Sequence, residues 1–290
     1  MGRGWAPDAT WEMIGADEGA ATLGVWRARR HDRDWVVKRL QPDPEHRDPS
    51  SFRWWRREVA LVESGIGTEF TGLVAPDSFV EEDEEGATIW AEYIRPTPIP
   101  PAITARALGT FAAVDLEDPG WFVRGRLRDR VRMAARHDPV RLQVDGVPAR
   151  VVADAEEVWR LRESILDRLD AMPHVLSHGD AIPRNLLRHD GPTVTAIDWD
   201  QLGCAPVGAD LASFAAWVDA DEDLLLASYL DGAGSLDLDA GVLRDSIALT
   251  SALIAVSRVI RAGKGAQMLS PRERLLGAER HLGRALAARR

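Results

Sequence analysis

The chain has 290 residues, 45% of them hydrophobic and 28% charged, which is the make-up of an ordinary globular protein long enough to bury a substantial core. Its net charge of -10, from 46 acidic against 36 basic residues, argues against a nucleic-acid partner; it suits a cationic small substrate and equally a merely well-solvated surface. A single cysteine, Cys204, excludes an internal disulfide and a cysteine-rich metal site.

The N-terminus carries Glu12, Asp17 and Glu18 and lacks an apolar run after a basic start, so it does not read as a signal peptide, and a cytoplasmic location is expected. WEMIGA (11–16), TLGVWRARR (22–30) and DWVVKRL (34–40) read as three strands, the last two joined as a hairpin through HDR. The stretch 50–64 reads as a helix, with Phe52, Trp55, Val59 and Val62 as its apolar stripe and Gly65 after it. Two further strands follow, 73–80 and 87–94, separated by the acidic run EEDEEG, which reads as a solvated loop rather than a metal site.

RPTPIPP (95–101) has the proline density of a linker. Beyond it the pattern turns helical, over 103–116, 117–137 and 154–172, with a small hairpin or loop between the last two. Further helices are expected at about 208–231, 239–263 and 271–289. The most apolar segment, 246–260, is too short for a membrane span and carries Arg258, so it reads as a buried helix and no membrane partner is expected. The division is therefore 1–94, a β-rich lobe; 95–101, a hinge; and 102–290, a helical lobe.

The densest cluster of polar residues lies in VLSHGDAIPRNLL (175–187), followed by VTAIDWDQLG (194–203). A hairpin through DGP brings Asn185 to the start of one strand and Asp198 to the end of the next, with Asp180 on the loop before them. Two oxygen ligands, Asn185 and Asp198, suit Mg²⁺, a hard cation usually held by few protein groups and by substrate phosphates. Asp180 is left free to receive a hydroxyl proton. Those roles belong to phosphoryl transfer, where catalysis is mostly positioning and charge neutralisation.

His178, Asp180 and Asn185 in H-G-D-x-x-P-x-N, the I-D-W run ending in Asp198, and GCAPVGADLA (203–212) together resemble the aminoglycoside phosphotransferase and choline kinase family. The dense match covers about 175–212. The resemblance implies an α+β, bilobal protein-kinase-like fold with a small β-rich N-lobe containing one helix and a large, mainly helical C-lobe. It implies ATP, with GTP open, and Mg²⁺ as cofactors. It also implies a small hydroxylated acceptor: an aminoglycoside or other antibiotic, choline, an amino-acid alcohol or a sugar.

Such a kinase needs a lysine on the third strand for the α and β phosphates and a helical glutamate to fix it. Lys38 and Glu58 stand in those places, although a strand lysine is also commonplace by itself. Glu92 to Ile94 occupy the hinge position, where backbone groups meet a purine edge. The glycine-rich phosphate loop departs from the pattern, because Gly19 and Gly24 are spaced too widely for G-x-G-x-x-G. His178 and Asp210 read as structural supports of the catalytic loop. Asp200 reads either as a neighbour supporting the metal ligand or as an outer-sphere contact. Acidic residues 219–223 could attract an amine-bearing acceptor or simply start a helix. A nucleotide-binding module without catalysis is the rival from another class, and monomer and dimer are both open.

Overall fold

The computed structural model describes residues 5–15, 21–135, 148–234 and 236–263. The expected helix at 271–289, the hairpin or loop around 140–147 and Gly19 lie outside the described residues.

An antiparallel sheet of five strands forms first: β1 (Glu12–Gly15), β2 (Thr22–Arg30), β3 (Arg33–Leu40), β5 (Ser78–Asp83) and β6 (Gly86–Glu92), in the order β1-β2-β3-β6-β5. The β2–β3 hairpin turns through His31 (φ 51°) and Asp32 (φ 60°), two left-handed residues whose twist matches that of the strands they join. A tryptophan cluster, Trp26 and Trp90 with Trp5 and Trp11, fills one face of this sheet. On the other face Leu40, Ala87 and Ile89 pack against Val59 of the helix α1 (Arg57–Ser64).

α1 is shorter than the expected 50–64 helix. Asp48 takes the Ser50 N–H, and the Arg57 guanidinium draws in the carbonyls of Pro49 and Ser51, so residues 49–56 form turns rather than a helical ladder. The expected strand 73–80 is also divided. Pro76 interrupts it, leaving β4 (Leu73–Val74), which leaves the large sheet and pairs in parallel with β9 (Thr193–Ala196). Glu81 to Asp83 lie inside β5 rather than in a loop, and only Glu84 and Glu85 make the turn.

The helical half comprises α2 (Pro101–Ala112), α3 (Arg126–Ala135), α4 (Ala149–Arg160), α5 (Arg162–Asp170), α6 (Ala209–Ala215), α7 (Glu222–Gly232) and α8 (Ala240–Gly263). Three expected helices are cut. Residues 117–125 stay irregular because Gly120 and Gly125 take left-handed φ angles and Val123 hydrogen-bonds to Leu202 and Cys204. The helix expected from 154 begins earlier, behind Pro148, and breaks at Leu161. The third stops after Ala215 and restarts where Asp221 caps α7.

α8 runs 24 residues, longer than the apolar segment expected there, and its window Ala240–Ser257 is long and apolar enough to cross a membrane. Here it is a core helix: Leu249, Ala252, Leu253 and Val256 are buried against α3, α4 and α5. Two small sheets lie between the halves. β7 (His174–Ser177) pairs with β10 (Gly203–Pro206), and β4 and β8 (Leu186–Asp190) flank β9.

Candidate active site

The β8–β9 hairpin forms as its residues dictate, a β-branched strand returning across a glycine turn, and it delivers two side chains to one place. Asn185 stands immediately before β8 and Asp198 two residues beyond β9. The loop before them is held from within. Asp210, at the start of α6, accepts the N–H groups of His178 at 2.7 Å and Gly179 at 3.0 Å. His178 is fully buried; its Nε2 donates to the Ile197 carbonyl at 3.0 Å while its Nδ1 accepts the Asp180 N–H at 3.2 Å. Both ring nitrogens are engaged in structure, as a support requires. Gly179 has φ 81°, and a Cβ there would stand 2.3 Å from the Gln201 carbonyl oxygen, so only glycine fits between histidine and aspartate.

Asp180 thereby reaches the floor of a cleft of about 1820 Å³ between the five-stranded sheet and the helices. The Asn185 amide nitrogen donates to the Asp180 carbonyl at 2.9 Å and to Oδ2 at 3.2 Å. This leaves Asn185 Oδ1 as the acceptor facing outward. Asp198 adopts φ 66°, a strained backbone for a non-glycine residue, and turns its Oδ1 to within 2.9 Å of Lys38 Nζ. Glu58 Oε2 holds the same ammonium at 2.5 Å, and Glu58 Oε1 accepts the Trp199 N–H at 3.2 Å. Trp199 itself packs inward, 3% exposed, against Phe70 and Phe111.

Charge in this site is tightly compensated. Desolvation pulls the Lys38 ammonium down, but Glu58, Asp198 and Asp200 outweigh it and hold the group above its ordinary value. The Lys38 charge keeps Asp198 below the usual carboxylate range, against the effect of burial. Asp200 is pushed up to about 7, by burial first and then by the negative charges of Asp198 and Glu58. Carboxylates crowded in this way favour a cation.

The donor set fits Mg²⁺: one carboxylate oxygen of Asp198 and one amide oxygen of Asn185, both hard ligands lining the same cleft. Among the described residues no group of three His, Cys, Asp or Glu side chains could hold a metal, and a two-ligand Mg²⁺ site lies below that count.

All seven residues singled out in the sequence, Lys38, Glu58, Glu92, Ile94, Asp180, Asn185 and Asp198, line this one cleft. The hinge differs in detail. The Glu92 N–H donates to the Asp77 carbonyl at 2.8 Å and the Tyr93 N–H to the Asp34 carbonyl at 3.1 Å. Of the three hinge N–H groups, that of Ile94 alone has no partner among the described residues.

Sequence reading missed the apolar walls: Val25 and Val36 on the sheet side, Leu187 and Ile197 opposite. The first two carried a signal, since Val36 shares a strand face with Lys38 and Val25 is its cross-strand partner. It also missed Arg126, whose Nη2 lies 3.3 Å from Asp180 Oδ1, and Arg57, which is wholly buried.

A family model of phosphotransferase enzymes matches residues 14–244, a span that includes every one of these site residues. The chain belongs to the phosphotransferase enzyme family. Solved structures agree on the fold. Choline kinase LicA from Streptococcus pneumoniae superposes with TM-score 0.59 at 13% identity, covering 96% of this chain and 93% of its own. Macrolide 2'-phosphotransferase MphH from Brachybacterium faecium gives 0.56 at 18% identity, over 95% of this chain and 94% of its own. Aminoglycoside 2'-phosphotransferase-IIIa, solved with GDP, gives 0.60 at 12% identity over 98% of this chain and 94% of its own. LicA has also been solved with AMP. At such identities the likeness extends to the bilobal protein-kinase-like fold of this phosphotransferase and stops there. No curated protein matches the chain by sequence.

Proposed function

We propose that this protein is a kinase that transfers the γ-phosphoryl group of ATP to a hydroxyl of a small molecule. The observation that carries the reading is the convergence of Lys38, Glu58 and Asp198 within 2.9 Å contacts on the cleft wall, next to the Asp180–Asn185 pair on its floor. The complexes of related folds with AMP and GDP support a nucleotide in this cleft.

The purine lies between Val25 and Val36 on one side and Leu187 and Ile197 on the other, its edge toward the Ile94 N–H. Lys38, fixed by Glu58, holds the α and β phosphates. Asn185 and Asp198 would hold Mg²⁺, which supplies neutralisation of the phosphate charge. Asp180 orients the acceptor hydroxyl and takes its proton as the oxygen attacks the γ-phosphorus in line. The bond from γ-phosphorus to the bridging oxygen breaks, and its electron pair leaves with ADP. Residues 1–94 thus serve the nucleotide and 102–290 the chemistry and acceptor, across the 95–101 hinge.

ADP release, measured with hydroxylated acceptors in the presence of Mg²⁺, tests the reading. Asp180→Asn is expected to lower turnover by about 10² to 10⁴ while nucleotide affinity stays nearly unchanged. Unimpaired turnover in that variant would remove Asp180 from the chemistry.

A further inference from the structure

Asp180 has company on the cleft floor. Arg126 and Arg130, one helical turn apart in α3, share a helix face. Their Nη2 atoms lie 3.3 Å and 3.8 Å from Asp180 Oδ1. The Arg126 side chain is only 10% exposed, yet among the described residues it has two partners, Asp180 and the Gln201 Oε1 at 3.2 Å. A guanidinium carries five N–H donors, so these two partners leave Arg126 with donors to spare for a ligand in the cleft. Arg128, on the opposite side of the helix, is clamped by Asp167 and Asp170 at 2.6 Å each. That clamp ties α3 to α5 and fixes the rotation that keeps Arg126 turned to the cleft.

Across from these arginines stands α8. Thr250 lines the same cleft, is 1% exposed, and its Oγ1 has no hydrogen-bond partner among the described residues. A helical threonine ordinarily bonds back to the preceding turn, so an idle buried hydroxyl here is a second group without its complement. Leu127, Val131, Trp217 and Ile254 add apolar surface to this end of the cleft. The acidic run at 219–223 that could receive an amine lies elsewhere, and Asp170, which does line the cleft, is held by Arg128 at 2.6 Å. Among the described residues none of Asp219, Asp221, Glu222 and Asp223 lines the cleft; Asp221 caps α7 and Asp223 pairs with Arg244 at 2.8 Å.

We propose that this end of the cleft binds the acceptor, and that the acceptor carries an anionic group, carboxylate or phosphate, near its hydroxyl on a partly apolar body. The guanidinium fork of Arg126 receives the anion, with Arg130 beside it and Thr250 donating from α8. The pocket belongs to an acceptor only if Asp180 serves the transfer, so this inference rests on the proposed kinase reading.

The test is a titration, followed by ligand-detected NMR, with the nucleotide site filled by a non-hydrolysable ATP analogue and Mg²⁺. Four probes share one ring: benzoate, phenyl phosphate, benzylamine and benzyl alcohol. At least one of the two anions is expected to bind about tenfold or more tightly than the amine and the alcohol, and the better of the two names the anionic group. Arg126→Gln should erase that preference, Arg126→Lys should keep part of it, and Thr250→Val should weaken the anion while preserving the order. Benzylamine binding as well as the anions, an anion preference undiminished in Arg126→Gln, or no probe binding at all would overturn the proposal. Failure of the nucleotide analogue to bind is a separate readout that counts against the kinase reading. The same four probes, titrated without nucleotide, then still decide the anion preference.

Discussion

Arg57 makes four hydrogen bonds, all to backbone carbonyls: Trp121 at 3.0 Å, Asp200 at 2.7 Å, Pro49 at 2.6 Å and Ser51 at 2.8 Å. Burial pulls its guanidinium down to about 10 even with Asp200 and Asp48 near. It is the next residue to Glu58, so the strut that holds α1 against the helical half also aims the partner of Lys38. Removing it takes the guanidinium donors from all four carbonyls, of which, among the described residues, only that of Ser51 keeps another, the Trp54 N–H. Arg57→Met is expected to cost about 3 kcal/mol or more in urea unfolding and to lower turnover as well, and lysine, which cannot span the four carbonyls, should not rescue it. An unchanged unfolding midpoint would show that water replaces the guanidinium freely.

Cys204 gives a second prediction at this scale. Its thiol lines the cleft and is pushed above its ordinary value of 9.0 by desolvation, with Asp118 adding to the effect. A raised thiol carries less thiolate at a given pH, so alkylation at about pH 8 should be slower than that of free cysteine and should keep rising above pH 9. A rate that levels off below pH 9 would contradict this environment. The sequence marks Cys204 only as a lone thiol and does not mark Arg57 at all. Arg57 reads as one of four charged side chains among tryptophans, and its burial is set by Trp121 and Asp200, which are remote in the chain.

Elements show the same division between local and distant causes. The strands β2, β3 and β6 and the β8–β9 hairpin were legible, because alternation and turn chemistry are local properties of those residues. Lys38, Glu58, Asp180, Asn185 and Asp198 were legible for a different reason: their spacing matches a family pattern. Helix ends were not legible. The stretch 117–125 carries a local break at Pro119-Gly120 and a left-handed Gly125, which the helical reading of 117–137 passes over, and the pairing of Val123 with Cys204 and Leu202 adds a cause with no local signature. The departure of β4 to join β9 has no local signature either.

One close approach between elements has a direct test. α2 and α7 meet at Gly109 and Gly232, where an added Cβ would stand 2.0 Å from the carbonyl oxygens of Tyr229 and Arg106 respectively. Neither contact is with a flexible side chain, so the helices must part. Gly109→Ala is expected to destabilise the protein by about 2 to 4 kcal/mol, read as a lowered thermal midpoint. The active-site residues sit on other elements, so nucleotide affinity in the folded fraction should be kept. An alanine variant as stable as the parent would mean that α2 and α7 slide apart at little cost.

At the scale of the whole molecule, the cleft is a joint between a sheet held by tryptophans and a helical body held by α2, α7 and α8. Among the ties that cross it are the Lys38–Asp198 ion pair, the Arg57 strut, the Trp199–Glu58 hydrogen bond and the parallel pairing of β4 with β9. The nucleotide reading makes the first of these the centre of the molecule, since the ammonium of one half and the carboxylate of the other meet where phosphates and Mg²⁺ are to lie. Calorimetric titration of ATP with and without Mg²⁺, into the parent protein and into Lys38→Met, Asp198→Asn and Asp180→Asn, tests that assignment most directly. The prediction is Mg²⁺-dependent binding to the parent and to Asp180→Asn, weakened about tenfold or more by each of the other two substitutions. Binding that ignores Mg²⁺ and survives both Lys38→Met and Asp198→Asn, or no binding to the parent protein, would contradict it.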